Sequence, residues 1–174
     1  MLDLLFTVLV LIHSNTIGLG VGASTIAIAG FLTAIGDGTF DPSEKRIMGV
    51  VYFTLRVAMG TILVSSGLVY LMDPQYFQEF TSPMWILIAV LFINAVLMTK
   101  HWISGKFGPA IQAATWYTLG FLVTIYIFGF ATVDMTYFAV FYAAALVVGI
   151  VIVNGCMVYL KNRREKAPQV PAQQ

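Results

Sequence analysis

Five apolar runs, each long enough to cross a bilayer, leave this chain little choice of fold. They cover Leu4–Ile35, Ile47–Met72, Met84–Trp102, Pro109–Phe130 and Met135–Leu160, with polar, Gly or Pro punctuation between them. A spanning helix needs about 20 apolar residues, because the hydrocarbon core is about 30 Å thick and a helix rises about 1.5 Å per residue. In lipid every backbone N–H and C=O must be satisfied within the span, so runs of this kind fold as helices. The sequence therefore reads as all-α, an integral membrane bundle of five transmembrane helices. It forms one domain over 1–166, followed by a short disordered tail over 167–174. Of 174 residues, 59% are hydrophobic and 10% charged, against about 25% charged in a soluble domain. The mean hydropathy is +0.88. The net charge of +1 supplies no field to gather nucleic acid. The start, "MLDLLFTVLVLIH", has no basic n-region and carries Asp3, so it reads as a retained helix rather than a cleaved leader. The single cysteine, Cys156, allows no internal disulfide and sits in an apolar run as a small packing residue.

The connections sort by charge. "GDGTFDPSEKR" carries Lys45 and Arg46, "TKHWISGKFG" carries Lys100 and Lys106, and the tail carries Lys161, Arg163, Arg164 and Lys166. The alternate connections, "DPQYFQEFTSP" and "ATVD", hold neither Lys nor Arg. The positive-inside rule then predicts an outside N-terminus and a cytoplasmic C-terminus, in a bacterial inner membrane. Tyr76, Phe77, Phe80 and Trp85 would form an outer aromatic belt, and Trp102 and Tyr159 an inner one. "DPSE" predicts the start of span two: Asp41 caps, Pro42 suits the first turn, and Glu44 closes a capping box. The series Asp37, Thr39, Asp41, Ser43 lacks the central Gly and closing Glu of a calcium loop.

"HSNTIGLGVGAST", His13 to Thr25, invites readings as a potassium filter or a phosphate loop. A filter is a non-helical loop between two membrane helices, and too little chain precedes Thr16 for that. A phosphate loop needs a strand before it and water around it. Helical spacing offers another account. Ser14, Gly18, Gly22, Thr25, Ala29 and Thr33 recur at steps of three and four and share one small or hydroxylated face, with Gly18 and Gly22 as a GxxxG pair and with Gly20, Ser24 and Ala27 widening the smooth surface. The expectation is that span one is the central packing helix and uses this face, which also suits assembly with a second chain.

Arg56 lies in the middle third of span two, in "YFTLRVAMG". An arginine at the centre of a bilayer costs at least about 2.5–3.5 kcal/mol on insertion scales. Gly49, Tyr52, Gly60, Leu63 and Gly67 share its face, which predicts packing against protein. No span interior offers a carboxylate. Arg56 therefore snorkels to lipid phosphate, caps helix carbonyls, or meets an anion from outside the chain. Asn94 and His101, seven residues apart, read as one face of span three, with Lys100 adjacent. Gln112 and Thr115 lie near the start of span four, and Asn154 near the end of span five. All fall in the predicted cytoplasmic half, so their convergence on Arg56 would make a polar pocket open to the cytoplasm. His13 is placed near the outer interface, as a hydrogen-bonded surface residue or as a ligand of haem or metal.

"LIHSNTIGLGVGAST", "LFINAVLMTKHW" and "GPAIQAATWYTLGF" resemble segments of a group of small, mostly uncharacterised bacterial multi-span membrane proteins. A looser likeness extends to copper-resistance D-type membrane domains and to haem-associated membrane protoporphyrinogen oxidases. In the haem-associated relatives a first-span His is the candidate ligand, so the resemblance implies that role, toward haem b, for His13. The later His is displaced to His101 here, and the first span lacks their Trp.

Three functional readings follow. The leading one is a non-enzymatic membrane module, either a complex subunit or a small carrier working as a homo-oligomer, with Arg56, Asn94, His101, Gln112, Thr115 and Asn154 around a ligand. The second is a b-type haem or metal protein using His13 or His101. The third is an anion-handling transporter with Arg56 at the substrate.

Overall fold

The computed structural model describes residues 2–38, 41–76, 81–104, 107–129 and 134–166. It consists of α1 (Leu2–Asp37), α2 (Pro42–Met72), α3 (Thr81–Thr99), α4 (Gly108–Phe128) and α5 (Met135–Lys166), with no strand among the described residues. All five helices are long and apolar enough to cross a membrane. Phe77, Phe80, Lys106, Thr39, the side chain of Asp37 and the 167–174 tail lie outside the described residues.

The helix ends differ from the sequence expectation for local reasons. The α2 helix begins at Pro42, ahead of the apolar run at Ile47 and where the "DPSE" cap predicts, because the capping box forms. Asp41 Oδ1 accepts the Glu44 N–H at 2.8 Å, and Glu44 Oε2 accepts the Asp41 N–H at 3.0 Å. The Ser43 hydroxyl also donates to Asp41, and this bond, followed by that of the Glu44 N–H, holds the Asp41 carboxyl below the usual range. The α3 helix stops at Thr99, short of Trp102, because His101 turns to the left-handed region at φ 56. The α5 helix runs beyond Leu160 to Lys166, since "KNRREK" is rich in good helix formers and Lys161 pairs with Glu165 one turn on. The α1 helix continues through all its glycines and closes at Gly38, whose φ of +82 no ordinary side chain adopts easily.

Helices α1 to α4 close a four-membered ring. The α1 helix packs on α2 and α4, and α3 packs on α4 and more lightly on α2, while α5 lies outside against α1 and α4. The ring is held by Ala58, Ile62, Val69, Leu87, Leu91, Trp116 and Leu119, all essentially buried. The α5 helix buries only Phe138 and Val153 and stacks Phe141 on Phe121 at 4.7 Å.

The helices are unequal. The α1, α2 and α5 helices have 36, 31 and 32 residues, whereas α3 and α4 have 19 and 21. The start of α1, the end of α2 and the end of α4 come together where Tyr76 meets Phe6 and Tyr126 edge-on. At the other end α3 and α4 finish level with the middle of α2, because Arg56, His101 and Pro109 line one groove. Beyond that level α2 continues for about 20 Å, at about 1.5 Å per residue. The ends of α1 and α5 accompany it, with Gly36 against Leu160 and Gly38 against the Arg164 guanidinium. The result is a notch on the α3/α4 side.

The small-residue face of α1 is a correction to the sequence reading. Gly18 and Gly22 have no atom within 4 Å of where a Cβ would stand, and Ala29 and Thr33 are exposed. Ser14 is half-buried, and Thr25 reaches only the Tyr117 hydroxyl, at 2.8 Å. Gly49, Gly60 and Gly67 on α2 are likewise open. The α1 helix does touch three neighbours, but chiefly through another face: His13, Ile17, Gly20, Ser24, Ala27 and Ala34. The reason is area. A row of small residues permits close approach but buries little, whereas this face seats a tryptophan. The Trp116 ring lies directly on Gly20, where any Cβ would strike the indole.

Candidate functional site: the groove between α2 and α3

The α2–α3 seam is the lightest of the packed helix contacts, and a groove of about 330 Å³ opens there. Its floor is Ser24, Ala27, Leu55, Met59 and Gln112, all buried. Its lip is Tyr52 and Arg56 from α2, with Thr99 and His101 from the end of α3, all exposed. A second groove of about 290 Å³ shares Arg56, Met59, Ala95 and Thr99 and extends along Phe92 and Val96 to Lys100. Among the described residues no Asp or Glu lines either groove. Three basic side chains, Arg56, Lys100 and His101, therefore stand around an otherwise apolar slot.

Arg56 is exposed and, among the described residues, has neither a hydrogen-bond acceptor nor a carboxylate partner. Of the three fates open to it in the sequence, capping of helix carbonyls is not realised. Arg56 is central in α2 but level with the α3–α4 connection, so it stands at the mouth of the notch rather than among five full-length helices. The glycines on its face do not pack against protein.

The amides form the rigid back of the site. Asn94 is buried, and its Nδ2 donates to the Gly108 carbonyl at 3.0 Å and to Gln112 Oε1 at 3.1 Å. Gln112 Nε2 in turn faces Met59 sulfur at 3.8 Å. Asn94 thus ties the end of α3 to the start of α4, while Gln112 presents its side to the groove. His101 does not share Asn94's face, because the helix has ended before it. Thr115 and Asn154 do not join the site. The Thr115 hydroxyl meets Tyr142 of α5 at 2.8 Å, and Asn154 donates to its own helix at Ile150. The sequence reading missed Ser24, Ala27 and Thr99 as lining residues. The first two belong to the widened small-residue surface of α1 read from the sequence, but nothing in one sequence says which part of that surface turns inward.

His13 is also corrected. It is fully buried in the bundle rather than a surface residue, and its Nδ1 lies 3.3 Å from the hydroxyls of both Ser65 and Ser66. Ser65 also reaches the Ile62 carbonyl at 3.3 Å. The pair "SS" inside an apolar run was the overlooked signal for this contact. A haem bound at His13 would need open space for a porphyrin at the imidazole edge. His13 has no exposed surface and lines neither groove, so its surroundings do not fit that group. Among the described residues no three His, Cys, Asp or Glu side chains assemble as a metal set.

No protein-family model matches the chain, and no curated protein and no solved structure matches it.

Proposed function

We propose that this chain is a non-enzymatic membrane module that binds an anion at Arg56 in the α2–α3 groove. In this reading the five helices cross a bacterial inner membrane, with the N-terminus outside and the Lys- and Arg-bearing end in the cytoplasm. The observation that carries it is the pairing state of Arg56: a guanidinium with no partner among the described residues, on the lip of a groove that no described acid lines. A charge left without a partner in or near lipid is destabilising unless something neutralises it, which is why intramembrane arginines mark ligand sites by default. The notch supports the same reading, since in a bilayer it would let the headgroup level reach Arg56. The outward faces of Gly18, Gly22 and Ala29 on α1 leave room for a second chain, consistent with a subunit or a homo-oligomer.

The test is ligand-dependent stability in a non-ionic detergent, with inorganic phosphate and decyl phosphate as probes. A ligand that binds only the folded state raises the unfolding temperature. At least one probe is expected to raise it for the native chain and not for Arg56→Gln. Equal shifts in both proteins, or no shift with either probe, would remove Arg56 from the site.

A further inference from the structure

We infer that the occupant of the groove is a membrane lipid with an anionic head and an acyl tail, seated sideways between α2 and α3. The inference rests on the anion reading above and names its ligand class. Three features of the groove select that class.

The first is charge. Arg56, Lys100 and His101 surround the two connected grooves, and no described acid lines them. Such a rim favours a phosphate or carboxylate and gives a quaternary or primary ammonium nothing to pair with. Arg56 can hold two oxygens of one anion in its planar fork, while Lys100 adds a point charge. The second is the wall. Between the rim cations the lining is Leu55, Met59, Phe92, Ala95, Val96 and Met98. A small hydrated anion would leave that surface wet, whereas an acyl chain covers it. Two methionines and an alanine make a slot that adapts to a flexible chain. The third is access. The lip residues Tyr52, Arg56 and Thr99 are exposed on the outer surface of the bundle, so the groove opens sideways to where lipid lies. The short α3 and α4 lower the headgroup level at this seam, so a lipid can place its head at Arg56 and keep its tail in the apolar layer.

Gln112 and Asn94 are bonded to each other, and Asn94 Nδ2 also holds the Gly108 carbonyl, while the Asn94 Oδ1 is buried without a hydrogen-bond partner among the described residues, so the amides tie α3 to α4 and bring no acid to compete for the rim.

The experiment uses the full chain in a maltoside detergent, stripped of lipid and then exposed to phosphatidylglycerol, phosphatidylcholine or glycerol phosphate. Bound molecules are counted by native mass spectrometry. One phosphatidylglycerol per chain is expected to survive washing that removes phosphatidylcholine. Arg56→Gln and Lys100→Gln should each weaken phosphatidylglycerol retention about tenfold, the loss of one charge-assisted contact. Ala95→Trp fills the tail seat without touching the cations and should also eject the lipid. Unchanged thermal unfolding of Arg56→Gln serves as the folding control, because Arg56 holds nothing among the described residues. Equal retention of phosphatidylcholine would overturn the inference by showing a charge-blind surface. Glycerol phosphate binding as tightly as phosphatidylglycerol would overturn the lipid while leaving the anion site standing. Binding of none of the three would remove both.

Discussion

The two ends of the four-helix ring handle polar groups in opposite ways. At the end near the N-terminus of α1, His13, Ser65 and Ser66 sit together in the interior, and Tyr76 is clasped by Phe6 and by the Tyr126 hydroxyl, which donates to the Tyr76 carbonyl at 2.7 Å. At the notched end, Arg56 stands exposed beside a groove with no partner among the described residues. The first region spends its polar groups on holding helices together, and the second leaves its strongest charge available. A buried polar contact in a closed interior is costly to disturb, because the surviving partner is left without water. An exposed charge beside a slot can be changed with little harm to the fold. The difference separates structural polarity from candidate binding polarity.

The largest test of that contrast is at the glycines. Gly20→Ala should lower stability by about 1–3 kcal/mol, since the new methyl strikes the Trp116 ring. Gly22→Ala, two residues away and open, should stay within about 0.5 kcal/mol. Thermal unfolding of the two variants in detergent measures both, and equal losses would break the assignment of the inward face. His13→Ala comes next. It strips the Ser65 and Ser66 hydroxyls of their buried partner and should cost about 1–3 kcal/mol. A neutral result by the same measurement would mean that this region is not the tightly bonded one.

Asn94→Leu tests the back of the groove. It removes an interhelical amide contact of the kind worth about 0.6 kcal/mol in membrane bundles, so a small loss is expected. Its effect should remain below that of His13→Ala, and the reverse order would make the groove end the better bonded one. The smallest effect lies beyond the notch, at the α2 cap. The Asp41 carboxyl is held low by the Ser43 hydroxyl and the Glu44 N–H. Its capping contribution is therefore fully present above the ordinary aspartate pKa of about 3.9 and is lost as pH falls below that value, through the lowered one. Hydrogen exchange at the Glu44 amide should accelerate only in that acid window. Asp41→Asn, which caps without titrating, should abolish the pH dependence.

How far the sequence reached depends on the kind of information required. The five helices, the "DPSE" cap and the helical state of "HSNTIGLGVGAST" follow from hydrophobic run length, capping chemistry and the exclusion of a loop, all of which are local. Arg56, His101 and Gln112 were legible as candidates because polar residues are rare in such runs, and the fold brings those three to one groove. Thr115 and Asn154 have the same local signature but bond elsewhere, since side-chain rarity says nothing about direction. The face of Gly18 and Gly22 misled for a related reason. Helical spacing identifies which residues share a face, but α1 carries two faces of small residues, and only the neighbouring Trp116 selects between them.

The sequence alone determined that the chain is helical and apolar over five membrane-length spans, because each run must satisfy its own backbone and exceeds what a soluble core can hide. The tertiary structure decided the register. Short α3 and α4 beside long α1, α2 and α5 bring the α3–α4 connection level with Arg56, and so turn a charge central in its helix into the lip of a groove. That outcome depends on how far one helix extends past another, a quantity set by packing between distant segments such as Gly20 and Trp116.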